Sequence, residues 1–202
     1  VWNPPGANPN QGSILQWTGG PNWNVVSYPA TRPDADLNSV YCVASNDCWA
    51  VGDVWNPPGA NPNQGSILQW TGGPNWNVIS YPAPWPNARL NSVFCLATND
   101  CWVVGDDDGN EVILRWTGGP NWARFGPSGA LPNTDLNSVY CVTSNDCWAV
   151  GDTSGGELIL HWDGTSWSRV GPSGTIPNVN LRSIYVIGPK QRPQAMWREV
   201  FQ

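Results

Sequence analysis

The stretch LNSVYCVASNDCWAVGD, residues 37–53, constrains this chain more than any other feature, because it recurs. It returns as LNSVFCLATNDCWVVGD at 90–106 and as LNSVYCVTSNDCWAVGD at 136–152. A fourth copy opens with LRSIYVIG at 181 and carries neither cysteine. Self-similarity at a fixed spacing means one supersecondary unit used several times. The units run 1–53, 54–106, 107–152 and 153–202. The first two share VWNPPGANPNQGSILQWTGGPNWNV letter for letter, and the third is shorter because DDGNEVILRW stands where the Pro/Asn-rich segment was.

Within a unit there are four short runs rich in Val, Ile, Tyr and Trp. In the first full set they are LNSVYCVA (37–44), CWAVGD (48–53), SILQWT (66–71) and WNVISY (76–81). Turn residues separate them, and none is long enough for a helix. The tryptophans count the units independently. Trp17, Trp70, Trp116 and Trp162 close the third run. Trp23, Trp76, Trp122 and Trp167 open the fourth, and Trp49, Trp102, Trp148 and Trp197 lie in the second. Of the 15 Trp residues only Trp2, Trp55 and Trp85 fall outside this pattern. A repeat of this length with four strands is the signature of a propeller blade. The expectation is an all-β, four-bladed β-propeller occupying residues 1–202 as one domain. Each blade is flanked by two others, so both of its faces should be apolar.

The six cysteines fall into three pairs, Cys42/Cys48, Cys95/Cys101 and Cys141/Cys147. Their spacing is not that of a zinc knuckle. In each copy an Asn-Asp turn lies between the two cysteines, and β-rich runs flank them. The pair should therefore face each other across a hairpin, close enough for a disulfide. Three such bridges point to an oxidising compartment. The chain starts at Val1 without Met, as after removal of a leader, so we expect an extracellular or cell-surface protein.

The motifs DCWAVGD, ILHW and WDGTSW resemble the repeats of secreted β-propellers of the Asp-box, kelch-like and assembly-factor-like kind. The resemblance covers nearly the whole chain. WDGTSW (162–167) is similar to an Asp-box hairpin, and the resemblance implies that Asp163 caps its tight turn. The other three copies read WTGGPNW. Asp-box folds include glycosidases, which need paired carboxylates.

Label the four runs of a blade a to d. Three blades are then contiguous in sequence, and the fourth is divided. Its c–d pair lies at the N-terminus (13–18 and 23–28) and its a–b pair at the C-terminus (182–187 and 196–201). Ile14, Trp17, Trp23, Ile184, Val186, Met196 and Trp197 are the expected closure residues, with Val186 and Met196 standing where the other blades have a disulfide. Joined within one chain, the halves close a four-bladed ring. Joined to the next molecule, they propagate a fibre. Self-closure is the expectation, because an unclosed edge is an aggregation hazard.

Only 12% of residues are charged and the net charge is −6. Residues 1–181 hold five Arg and fourteen acids, or −9. Residues 182–202 hold four cations and one acid, or +3. An acidic body is a poor nucleic-acid binder, and no apolar run is long enough to span a bilayer. The basic end suits an acidic neighbour.

Little points to chemistry. The single histidine, His161, has Gln16, Gln69 and Arg115 as counterparts and is expected to be a solvated strand residue. The acids Asp47, Asp100, Asp146, Asp53, Asp106 and Asp152 recur at equivalent positions and are expected to cap turn amides. Glu111 and Glu157 share one position at c-strand starts. No catalytic set and no cofactor is expected. Asp106, Asp108 and Asn110 loosely match a calcium loop, but a polar turn bending at Gly109 is the favoured reading, and no metal is expected. The twice-used loop NPPGANPNQG places Trp2, Asn3, Asn8, Trp55, Asn56 and Asn61 on the surface with Trp85 as a further aromatic. These are candidate contacts to a ligand or to a subunit.

The functional expectation is a non-enzymatic extracellular or cell-surface propeller, a structural or interaction module able to assemble into a surface polymer. Its partners would be other copies of itself, or cell-surface glycans and proteins. A glycan-binding lectin is the alternative reading and a glycosidase a third.

Overall fold

A computed structural model describes residues 14–26, 35–55, 63–81, 87–126, 131, 133–171, 179–187 and 194–195. These form strands and connections only. No helix long and apolar enough to cross a membrane occurs among them.

Three antiparallel sheets have four strands each. The first is β3 (Ala35–Ala44), β4 (Asp47–Trp55), β5 (Asn63–Trp70) and β6 (Asn77–Val78), in that order. The second is β7 (Ala88–Ala97), β8 (Asp100–Asp107), β9 (Asn110–Trp116) and β10 (Ala123–Arg124). The third is β11 (Thr134–Thr143), β12 (Asp146–Thr153), β13 (Gly156–Trp162) and β14 (Trp167–Arg169). These are the a–b–c–d quartets read from the repeats, here called blades 1, 2 and 3. Two further hairpins are the c–d and a–b halves of the fourth. One is β1 (Ile14–Trp17) with β2 (Trp23–Val26), and the other is β15 (Ile184–Tyr185) with β16 (Gln194–Ala195). The architecture is that of a four-bladed β-propeller with one divided blade. No ladder joins the two halves among the described residues.

The a–b hairpins share one construction. Cysteines pair in register at Cys42↔Cys48, Cys95↔Cys101 and Cys141↔Cys147. All three pairs are disulfides with Cα atoms 4.0 Å apart. Each hairpin also slips register between the Leu and Ser of its LNS triplet, so Asn38, Asn91 and Asn137 are bulge residues. A bulge re-aims the side chain that sits in it. Opposite lies the Gly of VGD, where space decides the residue. A Cβ on Gly105 would stand 1.9 Å from the Arg89 carbonyl oxygen, and Gly52 and Gly151 meet the same obstruction.

The divided blade departs from this register. β15 and β16 pair Ile184 with Ala195, three residues short of the alignment that would set Val186 opposite Met196. No disulfide pins that hairpin. Met196 and Trp197 lie outside the described residues.

The hydrophobic core is laminar, lying between blades rather than inside one. Trp49, Val51 and Ile67 of blade 1 pack on Leu90, Val93, Leu114 and Trp122 of blade 2. Trp102, Val104 and Ile113 of blade 2 pack on Leu136, Leu158, Leu160 and Trp167 of blade 3. The N-terminal hairpin contributes Ile14 and Val26 against Ala50, Leu68 and Trp76. Leu181, Ile184 and Val186 pack on Val150 of blade 3. Both faces of a blade are thus apolar, as expected.

Candidate interaction surface

Consecutive blades are joined by three repeated contacts. The first is a tryptophan interlock. Trp49 lies 5.1 Å from both Trp116 and Trp122. Trp102 lies 5.3 Å from both Trp162 and Trp167. The b-strand Trp of one blade therefore acts as a knob between the c- and d-strand Trp of the next, and both knobs are fully buried. Aromatic pairs in such tilted and edge-on geometry add about 0.5–1.5 kcal/mol each beyond burial.

The second contact uses the bulge asparagines. Asn38 donates to the Leu90 carbonyl (3.1 Å), Asn91 to that of Leu136 (2.9 Å) and Asn137 to that of Leu181 (3.1 Å). Asn137 also donates to Oδ1 of Asn180 at 2.9 Å. The third uses the adjacent serines, whose Oγ accepts from the a strand of the next blade. Val93 N donates to Ser39, Val139 N to Ser92 and Ile184 N to Ser138. Alongside runs an aromatic file, Tyr41–Phe94–Tyr140–Tyr185, at 4.9, 4.6 and 4.9 Å. Burial, with Tyr185 and Tyr41 nearby, pushes the Tyr140 phenol up. In the sequence LNS reads only as the start of a strand. The pointer to its role is a polar Asn-Ser pair kept in three copies at an otherwise apolar strand entry.

The two ends of this row leave those contacts unmade among the described residues. Val40 is 60% exposed, whereas its counterparts Val93 and Val139 are each 4% exposed. Leu15 is 53% exposed, against 0% for Leu68, Leu114 and Leu160. Among the described residues the exposed large hydrophobics (Leu15, Trp17, Trp23, Val25, Val40, Tyr185 and Ile187) lie in the β1–β2 hairpin, in β3 of blade 1 and at β15. At the N-terminal end an apolar groove of about 690 Å³ opens between the β1–β2 hairpin and blade 1. Leu15, Val40, Ala50, Trp70 and Trp76 are among its lining residues. Trp70 and Trp76 are the c and d tryptophans of blade 1, and they stack at 6.4 Å. No knob enters that pair among the described residues.

Of the repeated acids, Asp106 accepts from a turn amide as expected, that of Gly109, and the others have different partners. Asp100 accepts from Arg115 at 3.1 Å, Asp47 from Gln69 at 3.4 Å, and Asp146 meets His161 Nε2 at 2.9 Å. These first acids of the b strands thus bond the variable polar residue of the c strand, not turn amides. His161 is accordingly a half-buried partner stacked on Trp148 at 4.1 Å rather than a solvated residue. Asp53 and Asp152 accept from Asn38 and Asn137 at 3.3 Å. Asp106 is 4% exposed, and its burial, with Asp135 nearby, pushes the carboxyl up to about 6 against the pull of Arg89. Glu111 accepts from Leu131 N at 2.8 Å, and Glu157 is buried at the matching position.

Asp163 does cap its turn. Its Oδ1 accepts from the amides of Thr165 and Ser166 at 2.8 and 2.9 Å and from the Thr165 hydroxyl at 2.7 Å. These donors, the Thr165 hydroxyl foremost, hold its carboxyl down at about 2.

The calcium candidates have structural partners. Asp108, at φ 49°, and Gly109, at φ 78°, make the turn between β8 and β9. Asp108 accepts from the Asn87 amide, and Asn110 donates to the Asp107 carbonyl at 3.1 Å. No group of three or more His, Cys, Asp or Glu that could hold a metal ion occurs among the described residues. The candidate ligand contacts Trp2, Asn3, Asn8, Asn56, Asn61 and Trp85 lie outside the described residues. Trp55 ends β4, and its side chain is likewise outside them.

No family model and no curated protein matches the chain. Solved structures do. "YCF48 bound to D1 peptide" matches with a TM-score of 0.52 at 20% identity, over 74% of this chain and 45% of that one. "YCF48 from Cyanidioschyzon merolae" matches with a TM-score of 0.55 at 17% identity, over 87% of this chain and 58% of that one. The chain thus spans about half the length of the structures it matches. At this identity the likeness speaks to architecture alone, and it agrees with the blades and their interlocks: the fold is a β-propeller.

Proposed function

We propose that this chain is a non-enzymatic interaction module, working outside the cell or at its surface, that receives an extended polypeptide in the groove beside β1. The carrying observation is the Trp70–Trp76 pair. Its counterparts in blades 2 and 3 each grip a tryptophan from the neighbouring blade, while this pair lines an open apolar trough. An edge strand next to such a trough is the arrangement used in strand addition, where main-chain bonds hold a peptide and pockets select its side chains. The peptide bound to one of the similar structures is in keeping with this reading. Three disulfides favour an oxidising compartment.

The test is selection from a displayed random-peptide library, with Val40→Arg as the control. Val40 lines the groove and is exposed, so arginine there blocks the trough without disturbing a core. Enrichment of aromatic-bearing extended peptides that disappears in Val40→Arg supports the reading. Enrichment that persists in Val40→Arg, or no enrichment, refutes it.

A further inference from the structure

We infer that the polypeptide this end receives belongs to a second copy of the same chain, whose C-terminal end supplies the contacts that the N-terminal end lacks. The inference rests on the interaction-module reading and names its partner. It is carried by continuity with the blade-to-blade contacts and by charge.

Each repeated contact has a further member divided between the two ends; the Trp70–Trp76 socket is a second one, and the tryptophan that continues its knob series, Trp197, lies outside the described residues. The knob series Trp49, Trp102 continues with Trp148, which is half-buried and stacked on His161. The socket series Trp116–Trp122, Trp162–Trp167 continues with Trp17–Trp23, exposed at 57% and 63%. The serine series Ser39, Ser92, Ser138 continues with Ser183, and the amides Val93, Val139, Ile184 continue with Val40. The aromatic file ends at Tyr185, 56% exposed, and begins at Tyr41. An end holding one half of these contacts is complementary to an end holding the other. Such a heterologous interface joins copies head to tail.

The bulge position makes the match directional. Asn38, Asn91 and Asn137 are followed in the series by Arg182, which is exposed. The acceptors Leu90, Leu136 and Leu181 are preceded by Leu37. Asn137 reaches both the Leu181 carbonyl and the side chain of Asn180, the residue before it. The residue before Leu37 is Asp36, also exposed. Only the third junction has this second contact; at the junction not made within the described chain, Arg182 and Asp36 hold the two positions that Asn137 and Asn180 hold there. A charged pair suits a contact formed by diffusional encounter, since it steers approach and fixes register. The knob and socket supply buried area, and the Arg182–Asp36 pair supplies orientation.

The experiment is a charge swap read by light scattering during size-exclusion chromatography, over a concentration series at low salt. The wild-type chain should show a mass above its monomer value of 22.0 kDa that grows with concentration. Arg182→Asp and Asp36→Arg should each weaken association at least about 30-fold and elute as monomers, because like charges then face each other. Both residues are exposed, and because Arg182 lies near Asp152 and Asp36 near Asp53, near-ultraviolet circular dichroism is used to check that each variant keeps the fold. An equimolar mixture of the two variants should associate again, since each supplies the end the other lacks. A wild-type chain that stays at 22.0 kDa throughout, including one that closes on its own ends, overturns the inference. So does a mixture that stays monomeric. A monomeric wild type that still selects peptides blocked by Val40→Arg would sink self-association and leave the interaction-module reading standing.

Discussion

Asp106→Asn should stabilise the protein at neutral pH and not in acid. The Asp106 carboxyl is buried on β8 and titrates at about 6 in the folded chain, against about 3.9 when unfolded. A raised acid binds its proton more tightly in the native state. Its stability contribution is therefore intact below about pH 4 and is lost as pH rises through 6. The difference, 6 less 3.9, multiplied by 1.36 kcal/mol per pH unit, is about 3 kcal/mol at pH 7. Asparagine has the same shape and no charge to desolvate. Its Oδ1 can keep the hydrogen bond from the Gly109 amide that Asp106 accepts. The substitution gives up the ion pair with Arg89, which is 3.9 Å away and 57% exposed, a geometry worth at most about 1 kcal/mol. Urea unfolding with disulfides intact, at pH 7 and pH 4, should show a gain of about 2–3 kcal/mol at the higher pH and less than about 0.5 kcal/mol at the lower. An equal gain at both, or a loss at pH 7, would refute the assignment of a costly buried charge.

Three other outcomes can be checked directly. Trp102→Ala empties an interlock in which Trp162, Trp167, Phe125 and the Arg115 guanidinium surround the indole, and should cost about 3–5 kcal/mol in denaturant unfolding; Trp148→Ala, at the open end, should cost about 1–2 kcal/mol in the monomer by the same assay. Replacing Cys95 and Cys101 together by Ala should lower stability by about 2 kcal/mol in the chain-entropy account of so short a loop, with blades 1 and 3 retaining their amide protection in hydrogen exchange. The Asp163 carboxyl, followed by NMR, should titrate near 2, and Thr165→Ala should raise that value by removing the hydroxyl donor.

Much of this fold is legible in the sequence because repetition and strong local signals agree. The cysteine spacing sets the a–b hairpins, and the twelve repeated tryptophans mark which strands face a neighbour. The interlock itself is visible as a count but not as a geometry. Nothing in one dimension says that Trp49 reaches the next blade rather than its own. The Asn bulge escapes for a related reason: a register slip of one residue leaves no mark in an apolar-polar pattern, and the side chain it re-aims bonds across some fifty residues. The roles of the b-strand acids are hidden because Asp is a strong turn former, whereas here Gln69, Arg115 and His161 present donors across the sheet. The divided blade is readable as two halves, yet its register is not. Setting Val186 opposite Met196 follows the analogy with a disulfide, and without that covalent pin the pairing is free to slip.

The Asn-to-Leu carbonyl link carries a consequence for how such genes change. It uses one donor and one acceptor per unit and refers only to the adjacent unit, so stability accumulates by nearest neighbours. Duplication of a whole unit therefore hands on both halves of the link intact, and the letter-for-letter stretch shared by the first two units is the trace such an event would leave.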